Sequence, residues 1–237
     1  MSSPDQPKLL LFDIDGTLLD TGGVGLRSLK EAFLETFDLS HREPEFPRLD
    51  LAGSTDGSIV DHIFGLFEIE PTGENREAYF SSYHDRLSKL LVTFSNDHGR
   101  RLPGVLELLT RLRDETDHVL GLLTGNIARG AFTKVDHFEM GGFFEFGAFG
   151  DDHPDRNQLG PIAIDRAVDH SGHEFPANQV FIIGDTPKDV ACARACGAKA
   201  VTVATGGFPK AELDALNPCF SFSDLETDHH SFFAMLG

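Results

Sequence analysis

The sequence predicts an α/β protein, a parallel sheet whose first strand is followed by an inserted helical domain. Three observations carry that expectation. Apolar runs of strand length recur along the chain, and segments of helical period separate most of them, as in a sheet built by crossovers. Between the first run and the second lie about a hundred residues of helical pattern, far beyond the dozen or so that a crossover needs.

The first run, Leu9-Leu10-Leu11-Phe12, ends in Asp13-Ile14-Asp15-Gly16-Thr17. Residues two apart in an extended chain point the same way, so both carboxylates can enter one crevice. Close carboxylates repel, and they coexist around a metal ion or a shared proton. A plain Asp-Gly turn with a capping Asp13 is the structural alternative.

The insert follows. Leu26, Leu29, Phe33 and Phe37 share one predicted helix face; Ile59, Ile63, Leu66 and Phe67 a second; Phe80, Tyr83, Leu87 and Leu90 a third. Glycine-rich hinges are expected at residues 21–25 and 96–104. The core is therefore assigned to residues 1–20 and 99–237, and the helical cap to 21–98. Within the cap, residues 51–57 form a polar, glycine-bearing turn that either overhangs the site or simply caps the helix after it.

Beyond the insert, strands are expected at 118–124, 146–149, 180–184 and 200–203, completing the set opened by 8–12. Val105, Leu108, Leu109 and Leu112 follow i, i+3, i+4, i+7 behind Pro103-Gly104. Pro161 and Pro187 each mark a helix start, and Gly197 a helix end. Cys192 and Cys196 lie one turn apart in an Ala-rich segment and read as small core residues.

Composition narrows the function. The chain has 237 residues, 38 acidic and 20 basic, for a formal charge of −18. Such a field repels nucleic acid and anionic membranes, so neither is an expected partner, and any anion site must be built locally. No apolar run approaches the ~20 residues that span a bilayer. Residues 1–7 lack the basic and apolar parts of a signal peptide and read as a lead-in. Three cysteines without paired spacing suit a reducing cytoplasm. The 21 Phe, against no Trp, are expected to pack the core and cap.

Two later strands also end in polar loops, Thr124-Gly125-Asn126 and Gly184-Asp185-Thr186-Pro187-Lys188-Asp189. A hydroxyl and exposed N–H groups at a strand end suit an anion, although an ordinary helix cap uses the same residues. Asp185 and Asp189 alternatively serve only the helix dipole, worth ~0.3–1 kcal/mol each. Ligands of open α/β sheets sit at the carboxyl ends of the strands. If the first strand is central, four aspartates converge there, and an all-oxygen set suits a hard cation such as Mg²⁺.

These three loops, in this order, resemble motifs one, two and four of the haloacid dehalogenase-like (HAD) hydrolases. The likeness spans nearly the whole chain and, with its helical cap, points to the phosphoglycolate phosphatase-like branch. The fold it implies is a HAD-like Rossmannoid core with a parallel sheet and an inserted α-helical cap. The third motif departs from the usual lysine-proline: the chain has Asp155-Arg156-Asn157, with Arg156 five residues before Pro161. An arginine there offers a fork of donors to phosphate.

The resemblance implies phosphoryl transfer from a small phosphorylated metabolite, with Asp13 as nucleophile and Asp15 as acid and then base. It implies Mg²⁺ held by Asp13, the backbone carbonyl of Asp15, and Asp185, with Asp189 ordering the shell. Thr124, the backbone of Gly125 and Asn126, and Arg156 are the implied phosphate ligands. A phosphomutase of the same fold and a non-catalytic phospho-ligand-binding module are the competing functions. A monomer or homodimer is expected.

Overall fold

The structure, a computed structural model, describes residues 6–237 apart from the side chains of 94–98. Most of the expected lead-in, residues 1–5, lies outside the described residues, as do the side chains of 96–98 at the start of the second expected hinge.

Strand β1 (Leu9–Phe12) is wholly buried, which explains its uninterrupted apolar sequence. After a tight turn come β2 (Leu19–Asp20) and three long helices, α1 (Val24–Thr36), α2 (Asp56–Leu66) and α3 (Gly73–His98). The chain re-enters the core through β3 (Arg100–Arg101), which pairs antiparallel with β2. Then follow α4 (Val105–Glu115), β4 (Val119–Leu123), α5 (Ala128–His137), β5 (Gly147–Ala148), α6 (Leu159–Ser171), β6 (Val180–Gly184), α7 (Pro187–Ala195) and β7 (Lys199–Val203). The chain closes with α8 (Lys210–Ala215), β8 (Phe220–Phe222) and α9 (His229–Leu236).

Six strands form one sheet in the order β5-β4-β1-β6-β7-β8, every pairing parallel. β1 is central, and the chain winds away from it in both directions, which opens a crevice at its carboxyl end. Alternation along β1 builds two cores. Leu10 and Phe12 pack with α4 and α5 in a cluster continuous with the cap, while Leu9 and Leu11 pack with α6 and α7. Cys192 is buried in that second cluster, as its sequence position suggested. In the cap, Phe33 lies 5.1–6.1 Å from the rings of Phe37, Phe46, Phe64, Phe67 and Tyr79, so aromatic burial joins its helices.

Three details depart from the sequence pattern. Leu26 and Leu66 are 44% and 49% exposed; the inner stripe of α1 runs through Leu29, Ala32 and Phe33, and Leu26 in its first turn faces a cavity instead. The two-residue strands β2 and β3 are too short to show a period, and the polar Ser221 interrupts β8. Among the described residues no helix is long and apolar enough to cross a membrane.

Candidate active site

Parallel pairing of β1 with β6 sets Phe12 beside Ile183, so the residues that follow both strands emerge together. Asp13 still donates its backbone N–H to the Ile183 carbonyl, at 2.9 Å. Its carboxylate, that of Asp185 and that of Asp189 each bring an oxygen within 4.8 Å of the other two, and all three residues are buried. Asp189 reaches the cluster because it sits in the first turn of α7. There its Oδ2 accepts from the backbone N–H (3.0 Å) and hydroxyl (2.7 Å) of Thr186, a capping box with Pro187 at the first helical position. The structural role and the site role thus fall on the same side chain.

The turn after β1 admits only glycine at residue 16. Gly16 has φ +83°, and a Cβ there would lie 2.4 Å from Asp185 Oδ2. Thr17, fully buried, donates its hydroxyl to Asp185 Oδ1 at 3.1 Å.

One guanidinium serves this cluster. A short 3₁₀ turn at Arg156–Gln158 presents Arg156, whose Nη2 lies 3.0 Å from Asp13 Oδ2 and 2.5 Å from Asp189 Oδ1. Nη1 donates to the Gly53 carbonyl at 3.3 Å, while the buried Nε has no hydrogen-bond partner among the described residues. Burial opposes the charge of Arg156, but the carboxylates of Asp13 and Asp189 hold the guanidinium above its ordinary value. Burial likewise pushes Asp13 up to about 6, against the pull of Arg156. Asp185 is pushed to about 8 by burial and by the carboxylates of Asp189 and Asp13. Three dry carboxylates around one guanidinium are short of positive charge, and their all-oxygen donor set fits a hard divalent cation.

Asp15 stands apart from that cluster. Its side chain is 43% exposed and faces a different cation, Lys134 on α5. The Lys134 ammonium lies 2.8 and 2.6 Å from the two Asp15 oxygens and 2.6 Å from Asn126 Oδ1. Asn126 Nδ2 donates to Asp15 Oδ2 and to Thr124 Oγ1, both at 2.8 Å. The Asn126 side chain therefore braces Asp15 and is not turned toward the Asp13 cluster. Thr124 and Gly125 line the shared cavity. Lys134 escaped the sequence reading; its signal is a lysine between Ala131 and Val135 on the buried stripe of α5, where a solvated lysine does not belong.

The cap closes the opposite wall. Thr55 caps α2, accepting from Ser58 N at 3.1 Å, and also donates its hydroxyl to the Pro154 carbonyl at 2.7 Å. Asp56 N–H donates to the Gly125 carbonyl (2.6 Å), and Asp56 Oδ2 accepts from Ile127 N–H (2.9 Å). Both readings of residues 51–57 hold: the segment caps a helix and overhangs the site. A Cβ on Gly125 would meet the Ser54 carbonyl at 1.9 Å, so the loops touch through backbone. Burial raises Asp56 to about 6, with Lys134 and the Ile127 N–H pulling the other way. Lys188 points to the cap, donating to Ser54 Oγ at 2.7 Å, and His153 is a loop residue that accepts from Asp155 N–H. Between cap and core lies a cavity of about 640 Å³, lined by Asp13, Asp15, Thr124, Lys134, Arg156 and Asp185 among others.

A sheet with its acidic crevice at the end of a central first strand, covered by inserted helices, defines a class that comparison with known proteins makes explicit. Residues 10–203 match the family of haloacid dehalogenase-like hydrolases, and the chain belongs to that family. Among its relatives, the phosphoglycolate phosphatase of Pseudomonas fluorescens is 28% identical over 226 residues, covering 87% of this chain and 74% of the relative. That of Nitrosococcus oceani is 25% identical, covering 85% of each. Solved structures share the fold. A hydrolase from Pseudomonas syringae superposes with TM-score 0.69 at 21% identity, covering 97% of this chain and 99% of that one. CbbY from Rhodobacter sphaeroides, in complex with phosphate, gives 0.69 at 14% identity and covers 94% and 96%.

Proposed function

We propose that the protein is a Mg²⁺-dependent phosphatase that hydrolyses a small phosphorylated metabolite through an aspartyl-phosphate. The observation that carries this is the division of labour at the end of β1: Asp13 lies deep in an acidic cluster with Arg156, and Asp15 stands free of it beside Lys134. The relatives named phosphoglycolate phosphatases support the same class.

In this reading the Asp13 carboxylate attacks phosphorus while the bond to the leaving oxygen breaks. Asp15 gives that oxygen its proton, then takes one from the water that hydrolyses the acyl phosphate. Lys134 and Asn126 hold Asp15 in place. Arg156, the Thr124 hydroxyl and the Gly125 backbone take the charge of the transferring group. Asp13, Asp185 and Asp189, with the backbone carbonyl of Asp15, would hold Mg²⁺, which when bound offsets the repulsion between carboxylate and phosphate. Residues 21–98 act as a cap over a core of 1–20 and 99–237, opening at the β2–β3 ribbon to admit substrate and water.

The test is hydrolysis of p-nitrophenyl phosphate with Mg²⁺, with and without a chelator. Turnover that the chelator abolishes and Mg²⁺ restores is expected. An Asp13→Asn enzyme as active as the parent would rule the mechanism out. Asp15→Asn is expected to slow turnover and leave acid-stable phosphate on the protein.

A further inference from the structure

The catalytic end of the cavity is crowded with charge, but its cap wall is not. Leu26, Leu29, Leu51, Ile59 and Tyr83 line that wall, and Asp20 and Asp56 line the cavity with them. Leu26 is the exposed apolar side chain in the first turn of α1. An apolar residue left uncovered at a cavity mouth is a surface for the apolar part of a ligand.

Among the described residues three cations line the cavity: Arg100, Lys134 and Arg156. The three N–H groups of the Lys134 ammonium face three acceptors, two on Asp15 and one on Asn126. Arg156 is engaged by Asp13, Asp189 and Gly53. Arg100 is exposed on β3, where water screens its charge. A carboxylate or second phosphate on the leaving group would therefore enter an apolar wall flanked by acids, where each buried cation among the described residues is already engaged. An anion stripped of water without a partner is strongly unfavourable.

We infer that the leaving-group half of the cavity selects an uncharged, largely apolar alcohol, so that the preferred phosphate ester carries no second anionic group. The selection rests on the phosphatase function proposed above and gives it a substrate class. It also separates this chain from its named relatives, because phosphoglycolate carries a carboxylate directly on its ester carbon.

The experiment compares kcat/KM, with Mg²⁺, for phenyl phosphate, 2-hydroxyethyl phosphate and phosphoglycolate. The last two differ only by a CH₂OH in place of the carboxylate. Both esters with uncharged leaving groups are expected to exceed phosphoglycolate by at least about tenfold, the scale on which unmatched polar groups discriminate. Leu26→Arg, at an exposed position that folding does not require, is expected to raise the ratio of phosphoglycolate to phenyl phosphate. Hydrolysis of all three with phosphoglycolate preferred, or a ratio that Leu26→Arg leaves unmoved, overturns the inference and leaves the phosphatase function standing. Hydrolysis of none of them overturns both.

Discussion

Asp13 and Asp15 leave the same strand two residues apart, yet the fold gives them opposite surroundings. The Asp13 side chain is 7% exposed, beside an arginine itself nearly sealed from solvent. Asp15 is 43% exposed, and only its lysine partner is buried. Period-two geometry brings both to one crevice, but depth decides what each can do. A dry carboxylate among other carboxylates needs compensating charge and is shielded from water. A half-exposed one, fixed by an ammonium and an amide, is open to whatever occupies the cavity. On the proposed mechanism, that difference lets one short motif supply two chemistries.

The strongest way to break this contrast is Asp13→Asn. Turnover is expected to fall by at least roughly 10³-fold, as when a nucleophile is removed, with the fold intact by circular dichroism. Next comes Arg156→Met, which leaves Asp13 and Asp189 buried and unpaired. In chelator, its unfolding free energy in urea is expected to drop by about 3–5 kcal/mol, and added Mg²⁺ should recover part of that loss. A variant as stable as the parent would mean that the cluster does not depend on its arginine.

Lys134→Met tests the other half. It loosens Asp15 without touching Asp13, so kcat is expected to fall about 10- to 100-fold, the cost of a misplaced catalytic group. KM should change little, and acid-quenched samples should hold more phospho-enzyme than the parent. A rise in KM alone would make Lys134 a substrate ligand and not a positioning residue.

A last test concerns the strut between cap and core. Asp56 is held at about 6 when folded against 3.8 in its unperturbed state. The folded chain therefore binds more protons across that interval. The stability linked to Asp56 is fully present below pH 3.8 and is lost as pH rises through 6. Asp56→Asn keeps an acceptor for the Ile127 N–H but removes the titration. Relative to the parent it should gain up to roughly 3 kcal/mol between pH 4 and 7, read from paired urea curves. A constant difference across that range would show that Asp56 does not titrate as burial dictates.

Much of the site was legible along the chain because strand-end loops carry their chemistry in consecutive residues. Asp13, Thr124, Gly125, Asp185 and Asp189 were all visible that way, and Arg156 from its spacing to Pro161. Asn126 was visible too, but its side chain turns to Asp15, which no local pattern foretells. Lys134 and Asp56 stayed hidden because each matters through a partner distant in sequence: Lys134 sits 119 residues from Asp15, and Asp56 sits 71 from Ile127. The β2–β3 ribbon was hidden for the same reason, since strands of two residues have no period and exist only as a pair.

Alone, the order of amino acids determined the alternation of strands and helices, the inserted helices, and which carboxylates stand at strand ends. Those are local matters of side-chain period, turn chemistry and apolar run length. Folding in three dimensions decided which cation each aspartate meets, how deeply each is buried, and that the cap wall is apolar. Depth and charge pairing are properties of surfaces brought together from remote segments, and no window of neighbouring residues contains them.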